Sequence, residues 1–257
     1  MVRLRGTIER FNQSATLFLL LVAFDSSSIL LADDTRQAEQ ETQPISLDQF
    51  PPPPADLEQL IRRGNVRLIT GGEPKSELSN LDANSQLAGE TRFHFNYRYQ
   101  SNARWRVFRN RGAATSSNTT ADNKSVRIDV RFHSINLEQT HEIWLRQVPP
   151  SNSFWKHPVV RHEFDHVQIS SDERIENYFR DGVKSARRFT VPLAEVANEQ
   201  GRVDDAKVRQ QIERKLQELL HETSELVRVR YLELDRVTRH GIRPLPNDWV
   251  PLPDENP

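Results

Sequence analysis

The run from Val159 to Val167 contains the pattern His-Glu-x-x-His, and it constrains this chain more than any other feature of its sequence. Residues four apart on a helix lie on one face, about one turn from each other, so His162 and His166 can direct both imidazoles at one metal ion. Glu163 is next along the helix, where its carboxylate can reach a water molecule held by that metal. Zinc hydrolases have this spacing, and it predicts a site for hydrolysis.

The residues around this run favour a helix. No glycine or proline interrupts the chain between Pro158 and Gly182, which predicts one continuous helix over that stretch. Apolar residues recur at helical spacing on the side opposite the two histidines: Val160, Phe164, Val167, Ile175, Tyr178 and Val183. The helix therefore has two faces, and we expect the apolar face to pack on a core while His162 and His166 face a cleft.

Charge and cysteine usage narrow the chemistry. The chain has 257 residues, enough for one domain with a core, and its 35 basic and 36 acidic side chains leave a net charge of −1. A charge so close to neutral gives no indication of a nucleic-acid partner. Cysteine is absent from the sequence, so a cysteine-ligated zinc site is excluded. Histidine and carboxylate ligands remain, and they are more usual in catalytic zinc sites.

The first 32 residues have the composition of a signal peptide. Arg3, Arg5 and Arg10 precede the apolar stretch from Ala15 to Phe24, and Ala32 offers a small residue for cleavage. The alternative is an uncleaved membrane anchor, for which the apolar stretch is short. We therefore expect export to the bacterial periplasm or cell surface, with membrane contact only through the signal sequence. Folding without disulfides suits that location.

Changes in composition divide the rest of the chain. Residues 33–54 are polar and end in four prolines, which indicates a stiff linker; the alternative is a tail packed along the domain. A catalytic domain is expected to span residues 55–250, followed by a tail at 251–257.

The expected fold class is α+β, with a small antiparallel β-sheet, then the helix that carries the His-Glu-x-x-His run, then a long returning helix. The second long helix is expected from Val203 to Val237, with Gly241 as its stop. It should return antiparallel to the first helix, so that its later half lies beside His162 and His166. The earlier elements expected are a helix at 56–63, a short strand at 66–69, strands at 91–100 and 104–109 joined by a tight turn at Ser101-Asn102, and a strand at 125–134.

A catalytic zinc usually has three protein ligands and one open position, so a third ligand is needed. Asp172 falls where a metzincin-like spacing would place it, although Ile169 stands where that pattern has glycine. Ser170 with Glu173 could instead start a new helix as a capping box, which keeps Asp172 among the candidates. The other candidates lie on the second long helix and at its end: His221, Glu222, Glu225, Asp235 and His240.

Two motifs give the chain a resemblance to a known family. The run His162-Glu163-Phe164-Asp165-His166, preceded by Trp155, and the later residues Tyr231, Asp235, Thr238-Arg239-His240-Gly241 and Trp249 resemble a bacterial family of predicted secreted zinc proteases. That family is known mainly as a domain of unknown function, and the resemblance spans roughly Ala55 to Trp249. It implies a zincin-like fold, His162, His166 and His240 as zinc ligands, and Glu163 as the catalytic acid/base.

The function expected is therefore that of an exported zinc-dependent metallopeptidase, which hydrolyses peptide bonds in peptide or protein substrates with Glu163 as general base. Tyr231, His141 and Arg161 are candidate donors to the oxyanion. The alternative is a non-catalytic envelope protein that has a zincin-like fold and serves as a binding or structural module.

Overall fold

The computed structural model describes residues 11–16, 41–75, 87–109, 124–246 and 249, and within them the chain is α+β with a mixed sheet. The strands are β1 (Phe11–Thr16), β2 (Gln43–Ile45), β3 (Val66–Thr70), β4 (Gly89–Arg109), β5 (Lys124–Leu145) and β6 (Arg188–Pro192). The helices are α1 (Ala55–Gly64), α2 (Pro158–Ser170), α3 (Glu173–Ser185), α4 (Leu193–Val196) and α5 (Asp205–Thr238), with short 3₁₀-helices at Leu47–Gln49 and Ser151–Lys156.

The chain divides into two compact units, and β4, β5 and α5 contribute residues to both. Unit 1 comprises Met1–Thr16, Phe95–Glu138 and Glu173–Val227, and unit 2 comprises Leu17–His94, Gln139–Asp172 and Arg228–Pro257.

In unit 1, β1 and β6 pair antiparallel with the long strands. β1 lies beside β4, from Phe11 opposite Ser101 to Thr16 opposite Asn96, and β6 lies beside β5. Two buried tyrosines of β4 bind one carboxylate of α5: the hydroxyl groups of Tyr97 and Tyr99 both donate to Glu213. These paired hydroxyls fix α5 against the sheet within this unit.

In unit 2, β3 lies between β2 and β5. β2 is antiparallel to β3, but β3 is parallel to β5, from Val66 opposite His141 to Thr70 opposite Leu145. The expectation of a purely antiparallel sheet is therefore wrong. β3 follows α1 directly and runs in the same direction as the end of β5, between β5 and β2.

A core of aromatic and aliphatic side chains supports the site in unit 2. It includes residues from the predicted linker: the ring of Phe50 stacks on Phe154 at 3.7 Å, and the indole N–H of Trp155 donates to the Pro51 carbonyl at 2.6 Å. The segment from Gln43 to Pro51 is thus packed along the unit. The buried members of the core are Ile45, Phe50, Leu57, Leu68, Ile143, Leu145, Phe154, Trp155, Val160, Phe164 and Val167.

Several predicted elements are confirmed with small shifts in their ends. The short helix at 56–63 is α1, the strand at 66–69 is β3, and the second long helix is α5, which begins two residues later than expected and ends at Thr238. The later part of α5 lies beside His162 and His166, as the sequence indicates.

Two predicted features are wrong. The first helix is not continuous to Gly182, because α2 ends at Ser170 and α3 begins at Glu173. The hydroxyl groups of Ser170 and Ser171 bond to carbonyl groups of the preceding turn, a pattern that bends and ends helices. No turn occurs at Ser101-Asn102, where β4 continues and pairs with β1.

The predicted signal peptide lies mostly outside the described residues. Its residues 11–16 form β1, and the remainder of positions 1–32 is not described. No helix among the residues that the structure describes is both long and apolar enough to cross a membrane. Export therefore stays a prediction from the sequence.

Candidate metal centre

Helix α2 presents the three residues of the His-Glu-x-x-His run. Pro158 occupies its first turn, where backbone N–H groups have no acceptor within the helix, so a proline there costs no hydrogen bond. The apolar side chains of Val160 and Phe164 are buried in the core, and the helix is thereby fixed with His162 and His166 at a cleft. The two imidazole rings lie 4.7 Å apart and are 5% and 4% exposed.

Asp235 of α5 completes a group of three metal-binding side chains. Its Oδ1 atom lies 3.0 Å from His162 Nε2 and 3.1 Å from His166 Nε2. All three donor atoms lie within 4.8 Å of one another. Two imidazole nitrogens and one carboxylate oxygen form a donor set that zinc uses when one position stays open for a reactant, so the residues present fit a zinc ion.

The charges of this group influence one another strongly. Burial would raise the pKa of Asp235, but its hydrogen bonds to His162 and His166 hold that pKa well below its usual range. Burial would likewise lower the pKa of His162, yet its hydrogen bond to the Asp235 carboxylate and the charge of Glu163 raise it. The carboxylate of Asp235 is therefore anionic at neutral pH, as a metal ligand must be.

The turn after α5 orients the ring of His162. The Thr238 hydroxyl donates to the Leu234 carbonyl at 2.7 Å, so its oxygen can accept from His162 Nδ1, 3.5 Å away. A proton on Nδ1 would leave the Nε2 lone pair available to a metal ion bound beside Asp235. Gly241 packs closely against the same side chain, where a Cβ atom would come within 2.8 Å of His162 Cβ.

His166 is oriented by packing. Its ring lies 4.4 Å from the ring of Tyr231, whose hydroxyl is 2.8 Å from Ser170 Oγ. Within the described part of the chain, the buried Nδ1 atom of His166 has no hydrogen-bond partner.

The start of β4 holds the carboxylate of Glu163. Thr91 Oγ1 lies 2.8 Å from Glu163 Oε2 and 3.0 Å from the Glu163 carbonyl, and a Cβ atom on Gly89 would come within 2.6 Å of Glu163 Oε1. Burial raises the pKa of Glu163, although the neighbouring histidines oppose the shift. A raised pKa suits a carboxylate that must accept and release a proton near neutral pH.

These residues line a cleft of about 640 Å³. Glu163, His162, His166 and Asp235 lie along it, with apolar side chains that include Leu232, 38% exposed, and Ile242, 83% exposed. The backbone at the start of β4, residues 87–91, forms another part of the lining. The cleft is large enough for several residues of an extended peptide.

The structure brings together two of the three ligands implied by the resemblance, and it places the third residue differently. His240 lines the cleft, but its side chain is 51% exposed, and its Nδ1 atom lies 3.5 Å from Asp235 Oδ1. Asp235 is the carboxylate that lies against both histidines of α2. Among the described residues, the other candidate ligands, Asp172, His221, Glu222 and Glu225, do not join this group.

The three candidate oxyanion donors bind other groups. The Tyr231 hydroxyl bonds to Ser170, and Arg161 pairs with Asp56 at 3.0 Å. His141 is buried, with Nδ1 2.5 Å from the Gly64 carbonyl and Nε2 2.6 Å from Ser170 Oγ. Each of these three polar groups therefore has another partner in the described structure.

Sequence reasoning missed Gly89, Thr91 and the role of Thr238. Thr91 opens the alternating pattern of a strand, and that pattern carries no sign of contact with a residue 72 positions away. Thr238 stands within the Thr-x-His-Gly signature, so its position was known while its contact with His162 was not. Comparisons of the chain with protein-family models, with curated proteins and with solved structures gave no match.

Proposed function

We propose that this chain is a zinc-dependent metallopeptidase with a zincin-like site, which hydrolyses amide bonds in peptide or protein substrates. The observation that supports this most is the convergence of His162 Nε2, His166 Nε2 and Asp235 Oδ1 within 4.8 Å, on the wall of a cleft that Glu163 also lines. We propose these three residues as the zinc ligands, with Asp235 in the position that the resemblance gives to His240.

A zinc ion at this position would act as a Lewis acid, which acidifies water and polarises a carbonyl group. Glu163 accepts a proton from the attacking water molecule and passes it to the leaving amine. Thr91 holds the Glu163 carboxylate in one orientation through its hydroxyl group. Burial raises the pKa of Glu163, which suits a group that accepts a proton and passes it on.

The proposed setting is the bacterial cell envelope. The basic and apolar composition of residues 1–32 supports export, and the absence of cysteine is compatible with folding in an oxidising compartment. An accessible cleft with an apolar rim and a strand at its side suits an extended polypeptide as substrate.

The first test is the substitution Glu163→Gln. It removes the base and keeps the size of the side chain, so the variant should bind one equivalent of zinc and lose hydrolysis by a factor of about 10²–10⁴. Zinc content is measured by atomic emission after dialysis, and hydrolysis with fluorescent casein and a peptide library, with and without chelator.

The control is Glu222→Gln, which neutralises an exposed glutamate of α5. It should match the unsubstituted protein in both measurements. Full activity of Glu163→Gln would contradict the proposed base. A zinc-loaded protein that is inactive on every peptide would instead support a binding or structural role.

A further inference from the structure

We infer that His240 is a hydrogen-bond donor to the carbonyl oxygen of the scissile amide, and that it is not a zinc ligand. This inference rests on the proposed function, because it assigns a role in the same cleft. His240 lines the cleft with half of its side chain exposed, so a substrate can reach the imidazole.

The position of a third ligand is filled by Asp235. Its Oδ1 atom is within 3.1 Å of the Nε2 atoms of both His162 and His166, whereas His240 approaches the same oxygen at 3.5 Å through Nδ1. The opposite ring nitrogen, Nε2, points away from that carboxylate, and a neutral ring with its N–H on Nε2 has this nitrogen as its one donor. The contact described for this ring is the one that Nδ1 makes with Asp235.

The backbone around His240 is held in an unusual conformation. Arg239, His240 and Gly241 have φ angles of 52°, 53° and 76°, whereas a helix commonly ends with one left-handed residue. Residues other than glycine rarely adopt this conformation, and such strain is concentrated at functional sites.

Hydrogen bonds maintain this turn at each step. The amide of His240 donates to the Asp235 carbonyl at 3.0 Å, that of Gly241 to Thr238 Oγ1 at 3.2 Å, and that of Arg243 to the Thr238 carbonyl at 2.7 Å. The turn therefore places the imidazole of His240 at the cleft, beside the ligand Asp235.

Three other candidate donors are engaged with other groups. The Tyr231 hydroxyl bonds to Ser170, the His141 ring lies between Gly64 and Ser170, and the Arg161 guanidinium pairs with Asp56. An amide hydrolase needs such a donor, because charge accumulates on the carbonyl oxygen in the transition state. His240 adjoins Asp235 in the cleft, and an N–H on its Nε2 can donate to that oxygen.

The test uses the full chain loaded with zinc and the substitution His240→Gly. Glycine adopts the left-handed conformation without strain, so the turn is kept while the imidazole is removed. The variant should retain one equivalent of zinc after dialysis, and its cobalt-substituted form should keep the absorption spectrum of the parent protein. Both measurements report on the ligands and need no substrate.

Two further measurements report on the donor. A leucine-containing phosphoramidate dipeptide, whose tetrahedral anion resembles the transition state, should bind at least tenfold more weakly to His240→Gly in calorimetry. Where fluorescent casein is hydrolysed, kcat should fall by about 10²–10³ with little change in KM. His240→Gln, which keeps a neutral N–H donor, should recover part of both, and His221→Ala, which removes an exposed histidine of α5, should change neither.

The outcomes separate the two proposals. Loss of zinc or an altered cobalt spectrum in His240→Gly would make His240 a ligand and overturn the inference, and so would unchanged phosphoramidate affinity. Absence of zinc from the parent protein would overturn the proposed function itself. His240→Asn, with another side chain that tolerates left-handed backbone, provides the same comparison if glycine loosens the turn.

Discussion

At the scale of single residues, Gly241 shows how closely the backbone approaches a proposed ligand. It has a positive φ angle, and there is no room for a side chain between it and His162. Gly201 has a similar φ angle of 70°, yet a Cβ atom there would meet nothing within 4 Å. A comparison of substitutions at the two positions therefore distinguishes the cost of backbone strain from the cost of steric contact.

Alanine substitutions at these positions should differ in a measurable way. Gly201→Ala should lower the free energy of unfolding by about 1–2 kcal/mol, which is the strain of a left-handed residue. Gly241→Ala should lower it by about 1–3 kcal/mol more, because the new methyl group displaces His162. Urea denaturation measures both values. Equal losses for the two variants would show that the ring of His162 moves aside freely.

Zinc titration adds a second comparison. Gly241→Ala should bind zinc about tenfold or more weakly, since groups that orient a ligand typically contribute that much. Gly201→Ala should retain the affinity of the parent protein.

His141 provides a prediction about pH. Burial lowers its pKa, although the hydrogen bond to the Gly64 carbonyl opposes the shift. The folded protein therefore favours the neutral ring, while the unfolded chain takes up a proton as pH falls through about 6.5. The unfolded state then binds more protons, so the contribution of His141 to stability is present above that pH and is lost below it.

The substitution His141→Gln isolates this contribution. In the presence of chelator, the difference in unfolding free energy between the parent protein and the variant should shrink as pH is lowered from 8 to 5. Urea denaturation at each pH measures it. A difference that stays constant or grows would mean that the ring is charged in the folded protein.

At the scale of elements, the contact between the start of β4 and helix α2 determines the position of the proposed base. Two residues of β4 contact Glu163. Gly89 leaves room for the carboxylate because it has no side chain, and Thr91 bonds to it through the hydroxyl group. Gly89→Ala should push the carboxylate out of place and lower kcat by at least tenfold, because a displacement of about 1 Å can reduce catalysis 10²-fold. Zinc content should not change.

Two substitutions of Thr91 provide matched controls on the same strand. Thr91→Ser keeps the hydroxyl group and should retain most activity, whereas Thr91→Val removes it and should resemble Gly89→Ala. Activity on fluorescent casein and zinc content are measured for all three variants. Loss of zinc in Gly89→Ala would mean that the strand supports the metal ligands instead of the base.

The spacing of residues in the sequence predicted helix α5 and the pairing of the two histidines, but it did not predict individual contacts between distant residues. The apolar spacing predicted α5 to within two residues at its start, and the four-residue spacing predicted that His162 and His166 lie side by side. The end of α2 depends on where two serine hydroxyl groups bond, which spacing does not reveal. Asp235 was one candidate among six, because no local pattern links residues 73 positions apart.

At the scale of the whole molecule, the proposed zinc site lies within unit 2. His162 and His166 come from its segment Gln139–Asp172, and Asp235 comes from its segment Arg228–Pro257. Zinc should therefore stabilise the folded chain. A zinc concentration 100 times the Kd contributes about 2.7 kcal/mol. For a protein of this size, that corresponds to an increase in Tm of roughly 5–10 °C.

Asp235→Asn tests whether the carboxylate is responsible. The amide keeps the volume of the side chain but removes the anionic donor, so the zinc-dependent increase in Tm should be much smaller. Differential scanning calorimetry with and without chelator measures it. An equal increase in both proteins would exclude Asp235 from the proposed ligands.

The distance in sequence between the two histidines and Asp235 has a consequence for how the protein is made. On a ribosome, His162 and His166 emerge well before the carboxylate that lies 73 and 69 residues further on. A chain stopped within α5 before Asp235 keeps the whole His-Glu-x-x-His run and still lacks the proposed third donor. If the three residues hold zinc as proposed, such a shortened product should bind the metal more weakly than the full chain.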